Sequence, residues 1–283
     1  MTEPDAAAEA RAAADRLAGA SAADVLAWAT ATFGDRFAVV TAFQAEGMVV
    51  LDLARRADPA VRVLTIDTGR LPQETYDVIE TVRARWGMTV EVLAPDTRAV
   101  EAMTSRHGPN LFRRDQALRL LCCQVRKVDP LAGALAGLDA WASGLRRDET
   151  PARARVAPVE VDLTHGGIVK LNPLATWSRE QVWAYVREHG LPVHPLYERG
   201  YTSIGCAPCT RAVAPGEGRT EGRWWWEAGA DRECGLHHQT PSERFDAALT
   251  TLRADVGGTP RRAERDRDVG GTPPAGHAGA AGR

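Results

Sequence analysis

The chain has no excess charge of either sign, no long apolar run, no basic leader and only five cysteines in 283 residues. Lysine plus arginine number 35 against 37 acidic residues, so nothing in the balance argues for a nucleic-acid partner. Met1 to Arg11 is acidic and alanine-rich, unlike a signal peptide, and no later segment approaches the roughly 20 apolar residues of a membrane span. A cytoplasmic chain outside the membrane is expected, with its oligomeric state, monomer or homo-oligomer, left open. Walker and Rossmann glycine loops are missing too, which weighs against kinase, ATPase and dehydrogenase readings. An odd number of cysteines in a reducing compartment points away from disulfides and towards metal binding or catalysis.

What is present divides as four cysteines plus one: Cys122-Cys123, then Cys206-Ala-Pro-Cys209, then Cys234 alone. A Cys-x-x-Cys pair serves zinc, iron-sulfur clusters and redox disulfides alike. The adjacent pair says more. Neighbouring helical residues point about 100° apart, which suits two irons of a 4Fe-4S cluster better than one tetrahedral zinc. Structural zinc and plain core packing of the thiols stay open at this point.

Strands are expected at Phe37 to Phe43, Val61 to Ile66 and Met88 to Leu93, with helices at Glu46 to Arg56 and Gln73 to Trp86. That βαβαβ alternation implies a parallel sheet covered on both faces, with ligands beyond the carboxyl ends of its strands. An alanine-rich helical pattern, Asp5 to Ala31, precedes it. Arg119 to Leu135 reads as helical with a break at Val128-Asp-Pro130. A short strand at Asp139 to Gly144 and then the run Ile168-Val-Lys-Leu171 precede a helix from Ser178, whose Ser-x-x-Gln pattern is a capping box. The expected division is a helical segment over 1–36, one domain over 37–254, and a disordered Gly/Pro/Arg-rich tail over 255–283.

Lys127 lies one helical turn beyond Cys123, where a cation can stabilise thiolates and bind an anion. Arg70 follows Thr65-Ile-Asp-Thr-Gly69, and Arg146-Arg147, Arg219 and Arg223 fall near loop ends. Arginine grips phosphate and sulfate oxygens bidentately, so a site collecting several suits an anhydride of the two. Phe43-Gln-Ala-Glu-Gly47 can present N–H groups to phosphate at a helix start. Trp224-Trp-Trp226 can cover a nucleotide or plug the core.

Taken together, Cys122-Cys-Gln-Val-Arg-Lys127, Trp141-Ala-Ser-Gly-Leu-Arg-Arg-Asp148, Ile204-Gly-Cys-Ala-Pro-Cys-Thr-Arg211, Gly222-Arg-Trp-Trp-Trp-Glu227 and Glu233-Cys-Gly-Leu-His237 closely resemble the assimilatory adenylyl-sulfate reductases. The loop Thr65, Asp67, Thr68, Gly69, Arg70 looks like that family's nucleotide-side loop. The resemblance implies an adenine nucleotide α-hydrolase-like fold and one 4Fe-4S cluster on Cys122, Cys123, Cys206 and Cys209. It also implies reduction of adenosine 5′-phosphosulfate to sulfite and AMP, with thioredoxin supplying electrons. Cys234 matches the nucleophile that becomes an S-sulfocysteine, and Lys127, Arg146, Arg147 and Arg223 are expected to hold the phosphosulfate. In one departure, Thr220 stands where the family often carries an arginine, and Arg219 is displaced by one. The alternatives are a reductase of the 3′-phosphorylated nucleotide, cluster-dependent tRNA thiolation, whose Ser-Gly-Gly loop is missing, and a zinc-stabilised binding module.

Overall fold

The computed structural model describes residues 3–227 and 242–257. Six strands form one sheet in the order β3-β2-β1-β4-β6-β5, where β1 is Phe37–Val40, β2 Arg62–Ile66, β3 Val90–Leu93, β4 Ala140–Ala142, β5 Val159–Asp162 and β6 Ile168–Leu171. All neighbours run parallel except β5, which pairs antiparallel with β6 at the edge. Helices α3 (Ala45–Ala57) and α4 (Gln73–Trp86) make the crossovers from β1 to β2 to β3 expected of the alternating pattern. The chain then returns to place β4 on the other side of β1. The strand order therefore reverses between β1 and β4, the gap where open parallel sheets receive ligands.

The expected helix over Asp5 to Ala31 is two helices, α1 (Glu3–Arg16) and α2 (Ala22–Phe33). Ser21 and Asp24 form a capping box that starts α2 afresh, and Gly19 at φ +78° turns the chain before it. Ala10, Ala13 and Leu17 are buried in the main core, and α1 packs on β5 and β6, so the N-terminal segment is part of the domain. That core also takes Phe37, Val39, Met48, Leu51, Val63 and Leu171, each at 0–1% exposure. Inside it, the Asp52 carboxylate accepts from Arg56 Nε at 2.7 Å and from the Tyr185 hydroxyl at 2.8 Å, and pairs with Arg55. Asp52 thereby joins α3 to α8 (Arg179–Glu188), whose Ser178/Gln181 capping box is present as expected.

A second core lies apart from the sheet. It is built by α5 (Thr97–His107), α6 (Gln116–Cys123) and α9 (Glu243–Gly257), and holds Met103, Phe112, Leu121, Cys122, Cys209, Trp224 and Leu252. Between α6 and α7 (Asp129–Leu135) the chain makes a π turn, Gln124–Val128. The break expected at Val128-Asp-Pro130 does not occur: Val128 is helical at φ −68°, ψ −51°, and Pro130 falls in the first turn of α7, where its missing N–H costs little. The widened turn comes instead at the five residues that follow Cys123, and such turns concentrate at functional sites.

Candidate functional site

At the gap between β1 and β4, two loops touch through glycines. A Cβ on Gly47 would lie 2.3 Å from Thr41 Oγ1, and one on Gly144 would lie 3.0 Å from the Glu46 carbonyl carbon and the Gly47 nitrogen. Phe43 adopts φ +54° in the turn leading into α3, with Phe43 N donating to Thr41 Oγ1 at 2.9 Å. Such left-handed turns by a bulky side chain cluster at ligand sites. Arg146 meets Glu46 here, its side chain 0% exposed, and also pairs with Asp148. Arg147 does not join it; exposed, it donates Nε to Val156 O at 2.7 Å.

The loop after β2 is joined to the cysteines. Thr65 is buried. Asp67 accepts from Gly69 N at 2.7 Å and from the Tyr76 hydroxyl at 2.9 Å. Burial, then this bond, pushes the Tyr76 phenol up to about 12. Thr68 Oγ1 stands 3.2 Å from Cys206 Sγ, and Thr68 O accepts from Arg126 Nη1 at 2.6 Å. Arg70 O accepts from Ala207 N at 2.8 Å, while its guanidinium lies 4.9 Å over Phe112 and bonds Pro109 O and Asn110.

Cys122, Cys123, Cys206 and Cys209 line one cavity, about 320 Å³ including its open mouth, together with Arg70, Arg119, Arg126 and Lys127. All four thiols are free of disulfides. Burial pushes the Cys122 thiol up, and burial followed by the neighbouring Cys206 pushes Cys209 up to about 12. The surrounding cations oppose this rise without overcoming it. The donor set fits an anionic polythiolate centre: two thiols come from the end of α6, two from the turn Ala207–Cys209 and its cap, and among the described residues the buried Nε of Arg126 and Arg223 and Nε1 of Trp224 have no hydrogen-bond partner. Among the described residues no three His, Cys, Asp or Glu side chains are arranged to hold a single metal ion.

Arg223 packs over Gly205, where a Cβ would come within 2.5 Å of its Nη2, and donates to Ser203 Oγ at 3.3 Å. Trp224, at φ +43° and 3% exposed, is sandwiched between Arg223 (4.4 Å) and Arg119 (4.5 Å). The first tryptophan of the triplet thus plugs the second core. Cys234, the expected nucleophile, lies outside the described residues, as does His237. Sequence reasoning passed over Arg119 and Arg126, although Arg119 sits one turn before Cys122 and Cys123 on α6 and Arg126 adjoins Lys127. It also passed over Glu46, whose partner Arg146 is 100 residues away and has no local signal.

The phosphoadenosine phosphosulfate reductase domain matches residues 36–212, and the chain belongs to that family. Among curated relatives it is similar to the adenosine 5′-phosphosulfate reductase of Allochromatium vinosum, 43% identical over 78% of this chain and 86% of that one. It is similar also to the adenosine 5′-phosphosulfate reductase of Streptomyces coelicolor, 46% identical over 78% and 90%. Among solved structures, phosphoadenylyl-sulfate reductase from Candida auris superposes with a TM-score of 0.59 at 31% identity, covering 71% of this chain and 96% of that one. The α/β, mostly parallel fold is the one expected. Among the described residues no helix is long and apolar enough to cross a membrane.

Proposed function

We propose that the chain reduces adenosine 5′-phosphosulfate to sulfite and AMP in assimilatory sulfate reduction, with thioredoxin as electron donor. The reading is supported by relatives named for that activity at 43–46% identity over most of the chain, and by four thiols lining one cation-flanked cavity beside the nucleotide-side loop. Cys122, Cys123, Cys206 and Cys209 would hold one 4Fe-4S cluster, which when bound supplies a fixed, buried electrostatic and structural centre.

The chain's own residues then divide the work. The turn Phe43 to Gly47 and the loop Thr65 to Arg70 receive the nucleotide at the carboxyl edge of the sheet. Lys127 and Arg223, on the thiol side, attract the phosphosulfate, and Arg146 adds charge from behind Glu46. The Cys234 thiolate attacks the sulfate sulfur; an S–S bond forms, the S–O bond to phosphate breaks, and AMP leaves. A thioredoxin thiolate then attacks the Cys234 sulfur, sulfite departs with the bonding pair, and the second thioredoxin thiol closes the thioredoxin disulfide and frees Cys234. Sulfur gains two electrons and the dithiol loses two.

Sulfite release from the two adenylyl sulfates in parallel, using anaerobically purified protein, tests this. The unphosphorylated substrate should be strongly preferred. Faster turnover of the 3′-phosphorylated nucleotide, the activity named in the Candida auris structure, would install that alternative; release from neither, with stoichiometric zinc, would install the binding module.

A further inference from the structure

The loop after β2 is shaped partly by a side chain that lies outside it. Asp67 N donates to Leu93 O at 2.9 Å, which ties the start of the loop to β3. The Asp67 carboxylate folds back on the chain, its Oδ1 accepting from Gly69 N at 2.7 Å, with Gly69 at φ +67°. The same Oδ1 accepts from the Tyr76 hydroxyl at 2.9 Å, nine residues on, in the first turn of α4. Burial and the Asp67 carboxylate push the Tyr76 phenol up to about 12, so it stays a donor throughout the neutral range. That first turn is itself pinned. Thr75, 3% exposed, has Oγ1 3.0 Å from Nε2 of the fully buried His194, whose Nδ1 accepts from Leu196 N at 3.3 Å. With Nδ1 the acceptor, Nε2 carries the proton and donates to Thr75. Glu74 pairs with Arg199 at 2.6 Å. The stretch that begins at His194 also fixes the turn into α3: Ala45 N donates to the Tyr197 hydroxyl at 3.1 Å, and Ile204 N to Gln44 Oε1 at 2.8 Å. Three consecutive side chains of α4, Glu74, Thr75 and Tyr76, thereby join the two segments that face the ligand-receiving edge of the sheet.

A glycine-bearing loop that has to be ordered on binding weakens the ligand's apparent affinity, and one already held in the receptive shape does not. We propose that Tyr76 is a positioning residue for nucleotide binding: from the anchored first turn of α4, its hydrogen bond to Asp67 holds the loop Thr65 to Arg70 in its receptive shape, acting through Asp67 rather than on the ligand. The proposal rests on the reading that this loop receives an adenylyl nucleotide.

AMP binding is measured by calorimetry on the full-length, anaerobically purified protein, and turnover of adenosine 5′-phosphosulfate by steady-state kinetics. Tyr76→Phe, which removes one oxygen and keeps the ring, should weaken AMP roughly three- to tenfold, the range of one lost hydrogen bond to a carboxylate. In turnover the same factor should fall on KM, with kcat within about twofold. Asp67→Ala should weaken AMP at least as much, and adding Tyr76→Phe to it should bring no further loss, because the hydroxyl then has nothing to hold. Asp52→Asn, which weakens the sheet core without bonding to the loop, should leave AMP binding within about twofold. Unchanged AMP binding in Tyr76→Phe, a loss confined to kcat, additive losses in the double variant, or an equal loss in Asp52→Asn would overturn it. If the unaltered protein releases sulfite while Tyr76→Phe binds AMP normally, the inference falls alone. If the variants behave towards AMP as expected but the unaltered protein releases sulfite from neither nucleotide, the functional reading falls alone.

Discussion

The sheet core and the cysteine core solve opposite electrostatic problems. In the first, buried acids are matched by arginines: Asp52 by Arg55 and Arg56, Glu46 by Arg146 and Arg219. In the second, Arg70, Arg126 and Lys127 line the same cavity as four cysteine side chains, while the acid nearby, Glu227, is taken by Arg119 at 2.6 Å. A buried ion pair is complete within the protein, whereas several cations beside one cavity favour an anionic occupant. The sheet side therefore reads as the scaffold and the thiol side as the part designed around something negative, thiolates and substrate both.

The hardest test of that division is chemical. Cys234→Ser should abolish sulfite release while the purified anaerobic protein keeps its iron and sulfide and still binds nucleotide. Protein given substrate without thioredoxin should carry a sulfonate mass adduct on the peptide containing Cys234. An adduct on any of the four cavity cysteines would erase the distinction between holding a centre and attacking sulfur.

Lys127→Ala and Arg223→Ala probe the positive charge on the thiol side directly. Each should lower kcat/KM roughly ten- to hundredfold, the cost of about 1.5 to 3 kcal/mol for a charge-assisted contact. Arg147→Ala, whose guanidinium is turned to Val156 O, should stay within a few-fold. Steady-state kinetics with adenosine 5′-phosphosulfate decide both; a larger loss in Arg147→Ala than in Lys127→Ala would reverse the ordering.

On the sheet side the expected response is in stability. Asp52 is fully buried; burial alone would raise its carboxyl, but bonds from Tyr185 and Arg56 and the Arg55 charge hold it below the usual carboxylate range. Its contribution is present above the ordinary carboxylate value near 4 and is lost as pH falls through the lowered folded value. Asp52→Asn should cost about 1 to 3 kcal/mol in urea unfolding at neutral pH, by weakening the charge-assisted bonds from the part-exposed Arg55 and Arg56 and from Tyr185, and should flatten the acid limb of the stability profile. Unfolding at matched stability and an unchanged acid limb would show the pair to be ornamental.

The same contrast governs how much could be read from residues alone. Elements of the sheet core repeat every two or every 3.6 residues against one apolar layer, so β2, α4 and α8 emerge within a residue or two of their bounds. The edge strand β5, Val159-Glu-Val-Asp162, is short with two of its four residues half-buried, and α5 buries only Met103, so neither leaves a strong period. The cysteine core depends on contacts across the chain, such as Thr68 with Cys206 over 138 residues and Arg119 with Glu227 over 108. Its cysteines were legible because cysteine is rare here. Its clamps were not, because an arginine that stacks on Trp224 looks like any other in sequence.

The smallest expected effect concerns where the cysteine core ends. Composition places the end of the folded region before Asp255, yet α9 runs to Gly257, Asp255 pairs with Arg106 at 2.8 Å, and Val256 packs against the second core. Cutting after Gly257 should therefore leave sulfite production and melting temperature unchanged, since the rest of the tail lacks the apolar side chains to build a core. Cutting after Ala254 removes the Arg106 pair and one apolar contact. Because that pair is largely exposed, about 0.2 to 1 kcal/mol is at stake, a shift of a few degrees in melting with activity retained. Equal melting of the two truncated proteins would return the boundary to Ala254, and lost activity in folded, iron-loaded protein cut after Gly257 would give the tail a part in the chemistry.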